Sequence, residues 1–414
     1  MSLANYQKYE KYVDSGAPWV GDIPEGWEIR KLKYISKSLP KSSIQAGDGL
    51  ESGKYPLFSS SKNQSLFLNH FIYNEELIVM GTGGVANIHY YNGKLATTTD
   101  CFNFTITNNI SHKFIFYCLL SKLDIIDDLF FYGQGLRHLN KSLLLSYYLP
   151  IPSCTLQDKI TNFLDQKTSE IDQAIVKKEK LINLLKEQKD IIIQKAVTQG
   201  LDPDVKMKDS KVDWIGEIPE HWKINRNAAL YQISKDDGIE GLPILSVSIH
   251  SGVSKEELTE EENVRSAVKI QNKESYLRVK PGYIAYNMMR AWQGGIGHVE
   301  VDGMVSPAYI VLRPIGNINS LYFEYLYRTD IFIQQMNRFS NGITDFIKRL
   351  YWDSFKNLIT LVPPIEDQKN IITFIKEVES KTAEIVNNTK NEIEKLKEFK
   401  QVLIANAVTG KIKI

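Results

Sequence analysis

The 414-residue chain reads as a mixed α/β protein made of two similar halves, each a globular domain followed by one long helix. Three observations predict this. An apolar stripe of helical period runs through Leu156 to Gly200, a second copy of that pattern lies near the C-terminus, and a tryptophan motif precedes each globular segment.

In the first stripe Leu164, Ile171, Ala174, Leu181, Leu185 and Ile192 are separated by seven, three, seven, four and seven residues, which aligns them along one face of a helix. No proline interrupts the run, charged and amide residues fill the other faces, and Gly200 followed by Pro203 is a stop signal. A helix of roughly 40 residues at about 1.5 Å each is about 60 Å long, beyond an ordinary globular helix. So narrow a stripe needs a partner, either several helices of a large bundle or one helix of a two-stranded coiled coil. The second reading is adopted because the same chain supplies the partner. Around Glu366 to Gly410, Ile375, Val378, Ile385, Leu396, Phe399 and Leu403 keep the three-four spacing.

The repeat is explicit. Residues 14 to 29 read DSGAPWVGDIPEGWEI and residues 209 to 224 read DSKVDWIGEIPEHWKI, so Trp19, Gly21, Ile23, Pro24, Glu25 and Trp27 recur as Trp214, Gly216, Ile218, Pro219, Glu220 and Trp222. The helices repeat as well: Pro152, Phe163 and Ala196-Val197-Thr198 match Pro363, Phe374 and Ala407-Val408-Thr409. The domain boundaries that follow are 1–152 for a first globular domain, 153–200 for its helix, 201–363 for a linker and second globular domain, and 364–414 for the second helix and tail. Short apolar runs such as Leu77 to Met80, Cys101 to Thr107, Pro243 to Ile249, Gly282 to Tyr286 and Ala308 to Leu312 read as strands. Lys113 to Phe130 and Ser320 to Arg338 read as helices, each followed by a Gly-containing loop.

Composition narrows the class. Hydrophobic content of 43% supports substantial cores, and 50 Lys plus Arg against 49 Asp plus Glu gives no bulk case for nucleic acid, so any DNA surface is a local patch. Cys101, Cys118 and Cys154 form no Cys-x-x-Cys pair and read as thiols in a reducing compartment. With no secretory signal and no run of 18 apolar residues, the expectation is a soluble cytoplasmic protein.

Catalytic motifs fail on inspection. GDGLESGKY at 47–55 has the wrong glycine spacing for a phosphate loop and Tyr55 where magnesium binding needs Ser or Thr. Phe131-Tyr-Gly-Gln-Gly135 fits a short methyl-donor pattern, yet no Asn/Asp-Pro-Pro-Tyr/Phe follows to hold a flipped base. Pro203-Asp204 with Asp209 and Lys211 sits in the link between halves and reads as solvated charge, and the seven histidines show no metal-ligand spacing. No catalytic residue and no metal ligand is therefore assigned.

Loop residues able to read nucleic acid remain. They are Lys62, Asn63 and Gln64; Arg137, His138, Asn140 and Lys141; Arg290, Trp292 and Gln293; and Arg338, Asn341, Thr344, Lys348 and Arg349. Arg pairs with guanine edges and Asn or Gln with adenine edges, while Lys holds phosphates.

Over nearly its whole length the chain resembles the specificity subunit (HsdS) of type I restriction-modification systems. The resemblance rests on WVGDIPEGW and WIGEIPEHW, on YNMMRAWQGGIGHVEVDGMVSPAYIVLRP at 286–314, on VPPIEDQKNI at 362–371, and on the AVTQGL and AVTGKI helix ends. In the first half GTGGVANIHYYNGKLATTTDCFNFT at 81–105 is a looser counterpart, with Gly83-Gly84 aligned on Gly294-Gly295, and Thr155 and Leu156 stand where the second half has Glu366 and Asp367. The resemblance implies two target-recognition domains separated by two helices packed antiparallel as a spacer, related by a pseudo two-fold axis. It implies a non-catalytic, sequence-specific DNA-binding subunit reading an asymmetric bipartite target in double-stranded DNA. It also implies docking of two modification subunits, which use S-adenosylmethionine for adenine-N6 methylation, and of restriction subunits, which use ATP and Mg. The chain itself is expected to bind no cofactor. The alternatives are a specificity subunit of a methylation-only system and a coiled-coil adaptor that binds no DNA.

Overall fold

The computed structural model describes residues 6–107, 109–249, 252–254, 275–342 and 348–414. They form two compact units: one spans Met1–Glu179 with Thr389–Ile414, the other Lys180–Asn388. Each unit thus holds one globular domain, the start of the long helix that follows it, and the end of the other long helix.

In the first unit the main sheet has the strand order Ser36–Ser38, Cys101–Ile106, Tyr73–Gly81, Ile88–Thr97, Tyr55–Phe58, Leu66–Leu68. All neighbours are antiparallel except Tyr55–Phe58, which lies parallel to Ile88–Thr97. The LIVM run of the central strand explains its position. Ile78 and Met80 enter a core with Phe102, Phe104 and Phe114, while Leu77 and Val79 on the opposite face pack with Phe58 and Leu95. Both faces of this strand are covered, as a continuous apolar run requires. Helix α1 (His112–Leu120) is capped by the Ser111 hydroxyl, which accepts from the Phe114 N–H at 3.2 Å. It is followed by α2 (Leu123–Phe130), α3 (Lys141–Leu145) and the long α4 (Cys154–Gln199).

The second unit repeats the first four strands of that order as Tyr231–Ser234, Tyr309–Pro314, Ile284–Asn287, Ile296–His298. Here Ile284 and Tyr286 face one core and Ala285 the other. The strand beside each tryptophan motif also recurs: Glu28–Lys31 pairs with Tyr148–Ile151, and Lys223–Arg226 with Ile359–Val362. Helices α5 (Ser320–Tyr327), α6 (Asp330–Arg338), α7 (Trp352–Phe355) and the long α8 (Ile365–Val408) complete the unit's elements. The two stretches read as single helices are each broken once. Thr329 caps α6 by accepting from the Phe332 N–H, and the Ser121 hydroxyl turns back to the Cys118 carbonyl at 2.8 Å ahead of α2.

The long helices run antiparallel in the first unit. Lys400 of α8 pairs with Asp172 of α4 at 2.6 Å, and Lys178 pairs with Glu392, so the α8 partner moves back as α4 advances. Ile160, Leu164 and Ile171 share one core with Leu403, Ile404, Ala407 and Val408. In the second unit Ala196 and Val197 share a core with Ile371, Ile372 and Ile375.

The buried stripe corrects the sequence reading near the middle of each helix. Leu181 and Ile385 are 44% and 47% exposed, whereas their neighbours Ile182 and Val386 are each 8% exposed. The seven-residue period holds, but the second position of each heptad lies one residue later than the sequence reading placed it: burial follows the alternating four-three steps 164, 168, 171, 175, 178, 182, 185, so 175 and 182 replace 174 and 181. That register includes Lys178, whose stem is half-buried while its ammonium reaches Glu392.

Each helix end is seated on a tryptophan motif. Gly200 and Gly410 have positive φ, +80° and +68°, as a helix-terminating position demands. A Cβ on Gly410 would lie 2.4 Å from Pro24 and 3.2 Å from Trp27, and one on Gly200 would lie 3.4 Å from Trp222. The motif of one half therefore packs on the end of the helix belonging to the other half.

Candidate nucleic-acid interface

In the first unit three loops at one edge of the sheet are tied into a single surface. The 82–87 loop, carrying Gly83-Gly84, connects Tyr73–Gly81 to Ile88–Thr97. The 133–137 loop pairs against it: Leu139 N–H donates to the Thr82 carbonyl at 3.0 Å, Gly83 bridges His138, and Gly84 N–H donates to the Arg137 carbonyl at 2.9 Å. The 59–64 loop joins through Asn87 Nδ2, which donates to the Ser60 carbonyl at 2.6 Å, and through His89 Nε2, 2.9 Å from the Ser61 carbonyl. Burial pushes the His89 pKa below its ordinary value, so at neutral pH its ring is a hydrogen-bonding group and adds no cation to the surface.

Asp127 locks the arrangement. One carboxylate oxygen accepts from the Ala86 N–H at 2.6 Å and the other from Arg137 Nη1 at 2.7 Å. Arg137 also donates to the Asp127 and Phe131 carbonyls. The guanidinium read from sequence as a base contact is thus committed to shaping its loop. Asn140 is likewise engaged as the cap of α3, accepting from the Ser142 and Leu143 N–H groups at 3.0 and 3.1 Å. Gln64 donates to the Leu66 carbonyl. Lys62, Asn63, His138 and Lys141 are exposed, with the Lys141 ammonium 5.2 Å from the Phe102 ring centre.

The second unit builds the equivalent surface from the 288–295 loop and the segment after α6. Leu350 N–H donates to the Met288 carbonyl at 2.9 Å, and Asn341 and Arg349 exchange two backbone hydrogen bonds of 2.9 Å. Arg290 Nη1 donates to Gln293 Oε1 at 2.8 Å, and Trp292 Nε1 to the Met289 carbonyl at 3.0 Å. Lys348 donates to Asn337 Oδ1 at 2.9 Å and lies 5.2 Å from the Trp292 ring centre. Arg290, Arg338, Asn341 and Arg349 are exposed. Thr344 lies outside the described residues.

The arrangement offers hydrogen-bonding and cationic groups on rigidly braced loops, and the braces are what sequence reasoning missed. Asp127 carried no motif, and its role depends on two groups distant in the chain. Sequence reasoning also missed the apolar residues at the loop tips, Val85 and Leu136, although both directly follow glycines that open tight turns. The rejected catalytic stretches are turns. At the start of the 47–55 segment Asp48 Oδ2 accepts from the Gln45 N–H at 2.8 Å, Phe131–Tyr132 forms a hairpin with His138–Leu139, and Asp209 Oδ1 accepts from the Lys211 N–H at 2.9 Å. Among the described residues no group of His, Cys, Asp and Glu has metal-binding geometry, and no helix is long and apolar enough to cross a membrane.

Comparison with known proteins gives a consistent answer. Residues 24–184 and 212–395 each match the type I restriction modification DNA specificity domain. The type I restriction enzyme MjaVIII specificity subunit of Methanocaldococcus jannaschii is 23% identical over 423 residues, covering 95% of this chain and 94% of that one. The EcoBI specificity subunit of Escherichia coli is 23% identical over 412 residues, covering 95% and 84%. In fold, the chain is similar to the HsdS subunit of Thermoanaerobacter tengcongensis, with TM-score 0.50, 12% identity and coverage of 94% and 98%. It is similar again to a chain from a structure addressing complex assembly and conformational transition of the type I R-M system, with TM-score 0.58, 12% identity and coverage of 93% and 98%. With two copies of the domain spanning most of its length, the chain belongs to the type I restriction-modification DNA specificity subunit family.

Proposed function

We propose that this chain is the non-catalytic DNA-reading subunit of a type I complex and that it reads two different half-sites separated by an unread gap. One observation carries the reading: the two units share a strand order and a loop position but present different side chains there. Lys62, Asn63, His138 and Lys141 line one surface, and Arg290, Arg338, Asn341 and Arg349 the other. A symmetric dimer reads a palindrome because its surfaces are identical. Two unlike surfaces on one chain favour an asymmetric target.

On this reading α4 and α8 are the spacer that fixes the separation and helical phase of the half-sites. Two similar surfaces, each formed where a recognition domain meets the helices, dock two copies of a modification subunit, and restriction subunits join that assembly. S-adenosylmethionine, ATP and Mg belong to those partners, and this chain binds none of them. A cytoplasmic location follows from such partners. The same chain serves equally in a system that only methylates, since cutting lies in another polypeptide, and the neighbouring genes distinguish the two.

The test is methylome sequencing of cells expressing this chain with its modification subunit. Two unlike short sequences at a fixed gap support the reading. A palindromic or uninterrupted motif, or methylation that persists without this chain, refutes it.

A further inference from the structure

The strand-like pairing of the 82–87 and 133–137 loops ends in an exposed apolar tip. Its register runs Thr82 with Leu139, Gly83 with His138 and Gly84 with Arg137, so the next residues on the two strands are Val85 and Leu136. Gly84 and Gly135, at φ of +80° and +90°, set the turns that put these two side chains forward. Val85 is 71% exposed and Leu136 65%, values among the highest of the exposed large hydrophobic residues. Tyr132, paired with His138 in the same hairpin, is 49% exposed. A tip braced by Asp127 on both strands keeps this apolar surface in water by construction, and such patches mark contact sites.

The surroundings identify what it meets. The exposed groups nearby in the chain, Lys62 and Asn63 on the 59–64 loop, His138 just after the 133–137 loop and Lys141 at the start of α3, are two ammonium groups, an amide and an imidazole suited to base edges and phosphates. The second unit repeats the combination with different residues: Met289 and Phe339, each 44% exposed, directly precede or follow the exposed Arg290 and Arg338 in the chain. An apolar tip ringed by such groups fits the apolar surfaces of DNA, either thymine methyl groups or the faces of a parted base step.

Resting on the DNA-reading function proposed above, we infer that Val85 and Leu136 form an apolar base-contacting tip that contributes specificity for the first half-site. Both side chains are exposed, so Val85→Ser with Leu136→Ser leaves the fold intact. The experiment assembles the full chain with its modification subunit and selects bound duplexes from a randomised pool. In the double variant, preference at one or more base pairs of one half-site falls about 5- to 100-fold, the range typical of a single mismatched pair. Preference at the other half-site is unchanged and serves as the control for folding and assembly. Val85→Ile with Leu136→Met retains the wild-type preference. A pool carrying deoxyuracil for thymine separates the two apolar targets: methyl contacts lose preference there, a parted step keeps it. Unchanged preference at both half-sites in the Ser variant overturns the inference while leaving the DNA reading intact. Loss of the modification subunit from the double variant also overturns it, because the tip then serves a protein partner. If the wild-type complex selects no sequence, the DNA reading itself fails and the tip assignment with it.

Discussion

Replacing Gln368 with Leu should loosen the joint between the second recognition domain and its helix. The Gln368 side chain is 1% exposed. Its Oε1 accepts from the Asn319 N–H at 2.8 Å, and its Nε2 donates to the Pro363 carbonyl at 2.8 Å. Asn319 caps α5, so its own N–H lies outside the helix and depends on this partner. Leucine fills similar volume but leaves a buried donor and a buried acceptor unsatisfied, about 1–3 kcal/mol each. With partial relaxation the local cost is about 3 kcal/mol, which converts to about a hundredfold at 1.4 kcal/mol per factor of ten. Hydrogen–deuterium exchange on the full chain reads this directly, where a single global unfolding curve for two units does not. The Asn319 amide should exchange at least tenfold faster, with Tyr231–Ser234 unaffected. Exchange within twofold of wild type would refute the joint. Gln157 makes the same pair of bonds, to the Ser111 N–H and the Pro152 carbonyl, each at 2.8 Å, so Gln157→Leu should expose Ser111 in the same way.

Further outcomes follow from the same contacts. Ile182→Lys should destabilise by more than about 2 kcal/mol and Leu181→Lys by less than about 0.5 kcal/mol in thermal melts, and equal effects would argue against Ile182 as the buried position. Leu164→Asp, at a fully buried position, should lower stability by about 3–5 kcal/mol, against under about 1 kcal/mol for Lys400→Glu at a solvent-facing ion pair. Arg137→Ala should leave Asp127 uncompensated and make the 133–137 loop sensitive to limited proteolysis, whereas an unchanged digestion pattern would argue against the clamp. Arg349→Ala should weaken DNA binding, and a salt slope smaller by about one would mark a phosphate contact.

The long helices, the duplication and the position of the paired-glycine loops were legible in the sequence because each leaves a local trace: a period, a repeated motif, a glycine pair. Gly83-Gly84 and Gly294-Gly295 do occupy the equivalent hairpin loop of the two sheets. What was not legible depends on distance in the chain. Arg137 has the chemistry of a base reader, and only the fold shows Asp127 and two carbonyls already holding it. Lys178 interrupts the apolar stripe, and Glu392 on the other helix accounts for it. The departure at the first helix start has a similar explanation. In the second unit Asp367 accepts from Trp222 Nε1 at 2.9 Å and lies 2.7 Å from His221 Nε2, while in the first Leu156 and Trp27 each pack against the apolar core.

The proposed spacer role is tested most directly by lengthening both long helices together. Seven residues inserted in α4 between Glu179 and Lys180, and seven in α8 between Asn388 and Thr389, preserve the apolar register and add about 10 Å of helix. Methylome sequencing of the variant complex should then report the same two half-sites with the gap widened by about three base pairs. An unchanged gap, with both half-sites still read, would contradict the spacer.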